Sequence, residues 1–269
     1  MREQATRAVG EIDEELPSAA RVYDYLLGGA HNFAADRELA ERLLLVLPCA
    51  RDLARLNRAF LRRAVVYLVG RGVRQFLDIG SGIPTVGNAH EIAHEAVPGS
   101  HVVYVDRDPV AVAHSQLLLE GDEHATIVQA DMLHPETILG HASTRRLLDF
   151  SQPVGLLMTG VFHFVLPDAD ARSVLARYRD ALAPGSFLAL SHLTADTGAE
   201  QMAAAVEVMS HSSDPVQPRS HAEIRELFAG FDLVEPGLVG TAVWRPDRPE
   251  QAEQEPGGSR IYAGVGRKP

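Results

Sequence analysis

The sequence predicts an α/β fold: a mostly parallel sheet whose last strands run antiparallel, preceded by a helical N-terminal cap. Three observations predict it. Residues 17–70 carry helical periodicity with two interruptions. Residues 75–190 alternate short apolar runs with helix-like segments, the pattern of a parallel sheet covered on both faces. Near the end, residues 231–239 and 260–265 read as two strands with no helix between them, and strands joined without a crossover helix pair antiparallel.

In chain order, residues 1–16 form a polar tail in which Arg2 and Arg7 mix with Glu11, Asp13, Glu14 and Glu15. The helical cap, 17–70, breaks at Gly28-Gly29 and again at Pro48. After the second break Leu53, Leu56, Phe60, Ala64 and Leu68 recur at helical spacing, with Arg51, Arg55, Arg58 and Arg62 as a basic stripe beside them. Gly70 and Gly72 end that helix. The core, 71–269, opens with a strand at 75–79 leading into Gly80-Ser-Gly82 and a helix-like stretch. A second strand at 101–105 ends at Asp106 and is followed by a helix through 110–119. The third, 125–129, ends at Ala130-Asp131; the fourth is 154–158. A helix over 170–182 stops at Pro184-Gly185, before the fifth strand at 186–190. Ser220 and Glu223 form a capping box that opens a short helix to Phe228. Residues 245–259, rich in Pro, Glu and Gln, read as a solvated loop.

Composition narrows the function. With 46% hydrophobic and 23% charged residues among 269, the chain can bury a sizeable core. Lys and Arg total 25 against 36 Asp and Glu, a net charge of -11, and an acidic surface repels phosphate backbones. Nucleic acid is therefore disfavoured as a partner, and a small molecule or protein favoured. Cys49 is the only cysteine, so there is no intrachain disulfide and no thiolate zinc cluster. That fits a reducing cytoplasm. No stretch resembles a signal peptide or approaches the ~20 apolar residues that span a bilayer. The expectation is a soluble cytoplasmic protein without membrane partners.

The chemistry centres on Asp78-Ile-Gly80-Ser-Gly82, where the first strand turns toward a helix. Glycines there let the backbone approach a ligand. A Gly-x-Gly turn alone also suits nicotinamide and flavin enzymes. The acid before it discriminates: beside a dinucleotide's pyrophosphate it would be repelled by roughly 4 kcal/mol at ~4 Å and an effective dielectric near 20. S-adenosylmethionine offers it an ammonium and a sulfonium, and no phosphate. Asp106, ending the second strand, can accept both ribose hydroxyls. Asp131, ending the third, can accept from an adenine amino group, with Met132 as an apolar neighbour. Each acid alone could be a helix cap or a loop acid. Together, at the C-terminal ends of successive strands, they mark where ligands bind in such sheets.

Asp78-Ile-Gly-Ser-Gly82, Val105-Asp106-Arg-Asp108, Ala130-Asp131 and the segment 183–191 together resemble a class I S-adenosylmethionine-dependent methyltransferase, as does the segment 229–237. More narrowly, segments 20–33 and 75–84, Asn57-Arg58 and Leu190-Ser-His192 resemble an actinobacterial family of largely uncharacterised S-adenosyl methyltransferase-like proteins. The resemblance runs from about Pro17 to the end. It implies the seven-stranded Rossmann-like methyltransferase sandwich and S-adenosyl-L-methionine as cofactor. Pro84 stands where many members of the broad class have a third glycine, which puts the loop's detailed shape in question.

The cofactor-binding set so implied is Asp78, Gly80, Ser81, Gly82, Asp106, Arg107, Asp131, Met132 and Thr159. In this fold the helices before the first strand often close over the site, so Tyr23, Tyr25, Gly28, Gly29, His31, Asn32 and Asp36 are candidate lid residues; the alternative is that Tyr23 and Tyr25 pack the cap and Gly28-Gly29 is a plain turn. Arg58 is a candidate for the cofactor's carboxylate, with a solvated helix face as the alternative. After the fourth strand, the run from Thr159 to Val165 lies beneath the transferring methyl in this fold. His163 is thus the candidate general base and His192 the second; a hydrogen-bonded core histidine is the alternative for each. In-line positioning alone can also carry methyl transfer. The 12 histidines are scattered and suggest no metal site. The reading is a methyltransferase acting on an oxygen or nitrogen of a small molecule. The rival is a non-enzymatic cofactor-binding regulatory or partner protein.

Overall fold

The computed structural model describes residues 12–84, 87–167, 169–253 and 259–269; most of the polar tail lies outside them. The cap is three helices: α1 (Ala19–Leu26), α2 (Ala34–Val46) and α3 (Ala50–Gly70). The Gly28-Gly29 break and the Pro48 break separate them, as their backbone chemistry requires. Strands and helices then alternate: β1 (Gln75–Ile79), α4 (Ala89–Ala96), β2 (His101–Asp106), α5 (Pro109–Leu118) and β3 (Ala125–Gln129). Two short helices follow, α6 (Pro135–Leu139) and α7 (Ala142–Leu147), before β4 (Gly155–Thr159), α8 (Ala171–Ala181) and β5 (Phe187–Leu193). The chain ends with α9 (Ala199–Met209), α10 (His221–Leu227), β6 (Asp232–Leu233), β7 (Val239–Gly240) and β8 (Ile261–Arg267).

The sheet order is β3-β2-β1-β4-β5-β8-β6, with β7 also on β8. β1 to β5 run parallel, and β8 runs antiparallel to β5, β6 and β7. This is the predicted architecture with one correction. The strand expected over 231–239 is two short pieces, because Pro236 supplies no ladder donor and Gly237 turns with φ +90°. Three helices were not foreseen. α6 and α7, of 5 and 6 residues, are too short to show a period. α9 opens from Gly198 with no side-chain cap to announce it.

Residues of β1 alternate between two cores. Phe76 packs with Phe60, Ala64 and Leu68 of α3, while Leu77 and Ile79 pack with Leu175 of α8 and Ile224 of α10. A third core joins the cap to distant chain: Leu26, Leu43 and Leu53 with Ala205 and Met209 of α9 and Ile261 of β8. α3 thus serves two cores at once, its first turns in the cap and its later turns on the sheet.

A buried ion cluster fixes α1. Arg21, 4% exposed, donates through Nε to Asp36 at 2.8 Å and lies 3.5 Å from the carboxylate of Asp108. It also donates to the Leu16 carbonyl at 2.5 Å. Ser18, the N-cap of α1, donates its hydroxyl to Asp108 at 2.5 Å. Asp36 itself accepts the backbone N–H groups of Ser18 and Phe33. The cap is therefore tied to the loop after β2 by charge as well as by apolar packing.

Candidate cofactor and acceptor site

A cavity of about 590 Å³ opens at the C-terminal ends of β1 to β4, with walls from α1, α2, α3 and α9. Its floor begins at the turn after β1. Gly80 has φ +69°, and a Cβ there would lie 2.1 Å from the Val161 side chain, so the chain passes only as glycine. The Gly80 and Ser81 N–H groups both donate to the Val105 carbonyl, at 2.7 and 3.1 Å, which locks the turn to β2.

Asp78, Asp106 and Asp131 all line the cavity, with Gly80, Ser81, Gly82, Arg107, Met132 and Thr159. Asp106 accepts the Gly82 N–H at 2.7 Å and the Asp108 N–H at 2.9 Å, one on each oxygen. An ionised carboxylate has about four acceptor positions, so capacity remains for two ligand hydroxyls. Asp131 accepts the Leu133 N–H at 2.8 Å. Arg107 pairs with Asp214, whose other oxygen accepts the Ala19 N–H at 2.8 Å. Among the described residues, two buried polar atoms of cavity-lining side chains lack a partner: Ser81 Oγ and His163 Nδ1. Such atoms are rare in native proteins and mark where a polar ligand would complete the bonding.

Burial raises the Asp78 carboxyl to about 7; the Arg58 charge opposes this and Asp106 adds to it. Burial likewise raises Asp106 to about 6, against the two backbone N–H bonds it accepts, while Asp108 and Asp214 push it further up. Unfolded, both acids ionise near pH 4. Between pH 4 and 7 the folded chain therefore binds more protons, and stability falls as pH rises through that window. A cationic ligand reverses the preference. S-adenosylhomocysteine, which carries an ammonium, should bind more tightly as pH rises, by up to about tenfold per unit below the Asp78 value and levelling above it. Calorimetry from pH 5.5 to 7.5 tests this. A flat profile that Asp78→Asn does not alter would remove Asp78 from the ammonium site.

The cap residues divide. Tyr23 lines the cavity; its hydroxyl donates to the Ala54 carbonyl at 3.0 Å and accepts from Asn57 at 3.3 Å. Arg58 lines it too, donating to the Gly87 carbonyl at 2.9 Å. Tyr25, His31 and Asn32 do not line it. Tyr25 turns to Glu41, at 2.6 Å, with Arg51 over its ring. The His31 N–H and the Asn32 amide both donate to the buried Asp24, and the His31 ring packs on His114. Gly29 permits this turn, since a Cβ there would meet Asp24 at 2.0 Å. The basic stripe on α3 is also spoken for: Arg51 pairs with Glu41, Arg55 with Asp52 and Arg62 with Asp247.

The two histidines separate as well. His163, in a 3-10 turn after β4, lines the cavity and is 7% exposed. Burial first, then the nearby His192 and Arg219, hold its pKa well below the usual histidine range, so it is neutral at pH 7. His192 lies outside the lining. Arg219 donates to its Nε2 at 2.8 Å, so Nδ1 carries the hydrogen and donates to the Leu193 carbonyl at 2.7 Å. Burial and Arg219 push it down to about 3, against that carbonyl. His192 thus has both nitrogens engaged and no face on the cavity.

Three contributions escaped the sequence reading. Asn57 lines the cavity and accepts the Ser191 hydroxyl at 2.5 Å, tying α3 to β5. Its position was a signal: it falls between Leu53 and Phe60 on the apolar face of α3, where a polar residue needs a reason. Asp214 and the α9 residues Met202, Ala205 and Met209 carried no such signal.

A family model described as S-adenosyl methyltransferase matches residues 5–269, and the chain belongs to that family. It is 39% identical to a DUF574 family protein from Streptomyces avermitilis, whose crystal structure superposes with a TM-score of 0.92 over 96% of this chain and 99% of that one. It is 40% identical to a methyltransferase candidate from Thermobifida fusca, with a TM-score of 0.90 and 99% of each chain covered. Among curated proteins nothing matches. The family makes the chain a methyltransferase and S-adenosylmethionine its cofactor. No helix among the described residues is long and apolar enough to cross a membrane.

Proposed function

We propose that this member of the S-adenosyl methyltransferase family methylates an oxygen or nitrogen of a small molecule, with Asp78, Asp106 and Asp131 holding the cofactor and His163 facing the acceptor. One observation carries the reading. The three strand-end acids and His163 line the same cavity, and the buried Nδ1 of His163 has no protein partner. The cavity's size is within the range of small-molecule sites.

The residues present fit the cofactor. Asp106 keeps acceptor capacity for a diol, Asp78 is a buried acid suited to a cation, and Ser81 Oγ awaits a polar partner. When bound, S-adenosylmethionine supplies an electrophilic methyl group on a sulfonium. Asp78 would accept from the ammonium, Asp106 from the ribose hydroxyls and Asp131 from the adenine amine, with Met132 against the ring. Arg58 would face the carboxylate, and Thr159 and Gly160 the reacting end. With a hydroxyl acceptor, His163 would take the proton shed as the new bond forms, because the methylated oxygen is strongly acidic and even a weakly basic imidazole serves; an amine acceptor would need no base for the transfer and would lose its proton to solvent. The apolar cap excludes water from the methyl donor.

Asp106→Ala tests the cofactor half. Loss of hydrogen bonds to a charged acceptor should weaken S-adenosylhomocysteine binding by about 1–3 kcal/mol in calorimetry. Unchanged affinity would place the ribose elsewhere. Transfer of labelled methyl from the cofactor to a panel of phenols, amines and carboxylates tests the other half. A chain that binds the cofactor but labels nothing would favour a regulatory protein.

A further inference from the structure

We infer that the acceptor is an uncharged, largely apolar molecule with a single hydroxyl or neutral nitrogen, held in an apolar arm of the cavity between α2, α3 and α9; this rests on the methyltransferase reading above. The cavity is sharply divided. Every lining residue that α2 and α9 contribute is apolar: Leu43 from the first, with Leu47 just past its end, and Met202, Ala205 and Met209 from the second. Along α3 the character changes within two turns, from Ala50, Leu53 and Ala54 to Asn57 and Arg58. Asp78, Asp106, Asp108 and Asp131 lie beyond that boundary, on the strand ends and their loops; the two other lining carboxylates are Asp13, ahead of α1, and Asp214, past α9, which pairs with Arg107.

The arm is the hollow end of the cap's own core, since most of the same side chains form its apolar cluster. A charged acceptor would lose its water there with no counter-charge, at a cost that excludes it. A carboxylate at the boundary would also face Asp78, Asp106 and Asp131. The polar groups near the boundary are mostly satisfied: the Tyr23 hydroxyl and the Asn57 side chain bond to each other, to the Ala54 carbonyl and to Ser191. His163 Nδ1 alone is buried and unpartnered among the lining nitrogens there. One polar group at one end of an apolar body matches that pattern. A body of fused or linked rings loses less freedom on burial there than a flexible chain.

Calorimetry on the full chain saturated with S-adenosylhomocysteine tests this, with 2-naphthol and 4-phenylphenol as neutral probes and 2-naphthoate and 2-naphthylmethylammonium as charged ones. The neutral probes should bind at pH 7, and the charged ones at least about tenfold more weakly. Ala205→Phe and Met202→Trp, which fill the arm, should each weaken the neutral probes by about tenfold or more while S-adenosylhomocysteine affinity stays within about threefold. Two variants on different turns guard against one that fails to fold. Equal or tighter binding of a charged probe, wild-type binding by folded filling variants, or no neutral binding in a chain that holds S-adenosylhomocysteine would overturn the inference alone. Failure to bind S-adenosylhomocysteine at all would overturn the proposed function, and the inference with it.

Discussion

Arg21→Ala should destabilise the chain by about 3–5 kcal/mol, the scale for removing one partner of a buried ion pair. In thermal unfolding that corresponds to a fall of roughly 5–10 °C for a chain of this size. The guanidinium sits between two carboxylates, Asp36 and Asp108, neither more than 8% exposed. Without it Asp36 keeps the Ser18 and Phe33 N–H groups, and Asp108 keeps the Val110 N–H and the Ser18 hydroxyl. No positive charge replaces the lost one. Arg21→Lys should recover only part of the loss, because a single ammonium cannot reach both carboxylates and the Leu16 carbonyl in one geometry. Adding Asp36→Asn to Arg21→Ala should restore stability relative to the single variant. A single variant that loses less than about 1 kcal/mol would mean that water replaces the guanidinium at little cost.

His163→Ala should lower turnover by roughly 10²–10⁴ once an acceptor is in hand, if the imidazole takes the acceptor's proton. S-adenosylhomocysteine affinity should change by no more than a few-fold, because the adenosine acids lie on other strands. Burial, His192 and Arg219 keep His163 neutral at pH 7. Its lone pair is thus present across the neutral range, and it should contribute no inflection to kcat between pH 6 and 8. His163→Gln separates the roles, since its carbonyl can orient a hydroxyl but cannot take up the proton. Recovery of most of the activity by the glutamine variant would make His163 a positioning residue. Turnover within about threefold of wild type in the alanine variant would remove it from the chemistry.

The strands were legible because each is a short apolar run ended by a turn or an acid; all of the residues over 75–79 and 125–129 fall where the periodicity put them. The same runs put Asp78, Asp106 and Asp131 together along the C-terminal edge of the sheet, where the cavity opens. The lid was less legible. Tyr25, His31 and Asn32 stand in a stretch that resembles a ligand loop, yet Asp24 organises that stretch by bonds no spacing reveals. His192 and His163 look alike in sequence, and only Arg219 tells them apart, from 27 residues away. The 231–239 strand was overextended because Pro236 was read within a run that its missing N–H interrupts.

The double allegiance of α3 bears on how the chain is made. Its first turns are completed only by Met209 and by Ile261, near the far end of the sequence. A ribosome extending a chain at about 5–20 residues per second would leave Leu53 without those partners for roughly 10–40 s. During that interval the sheet-facing turns of α3 can already dock on β1, whose Phe76 follows closely in sequence. The cap-facing turns have only α1 and α2 to pack on until α9 and β8 follow. The newly made protein therefore carries an oily N-terminal flank through most of its synthesis, a natural hold for chaperones. β8 then completes the sheet and the cap's core together.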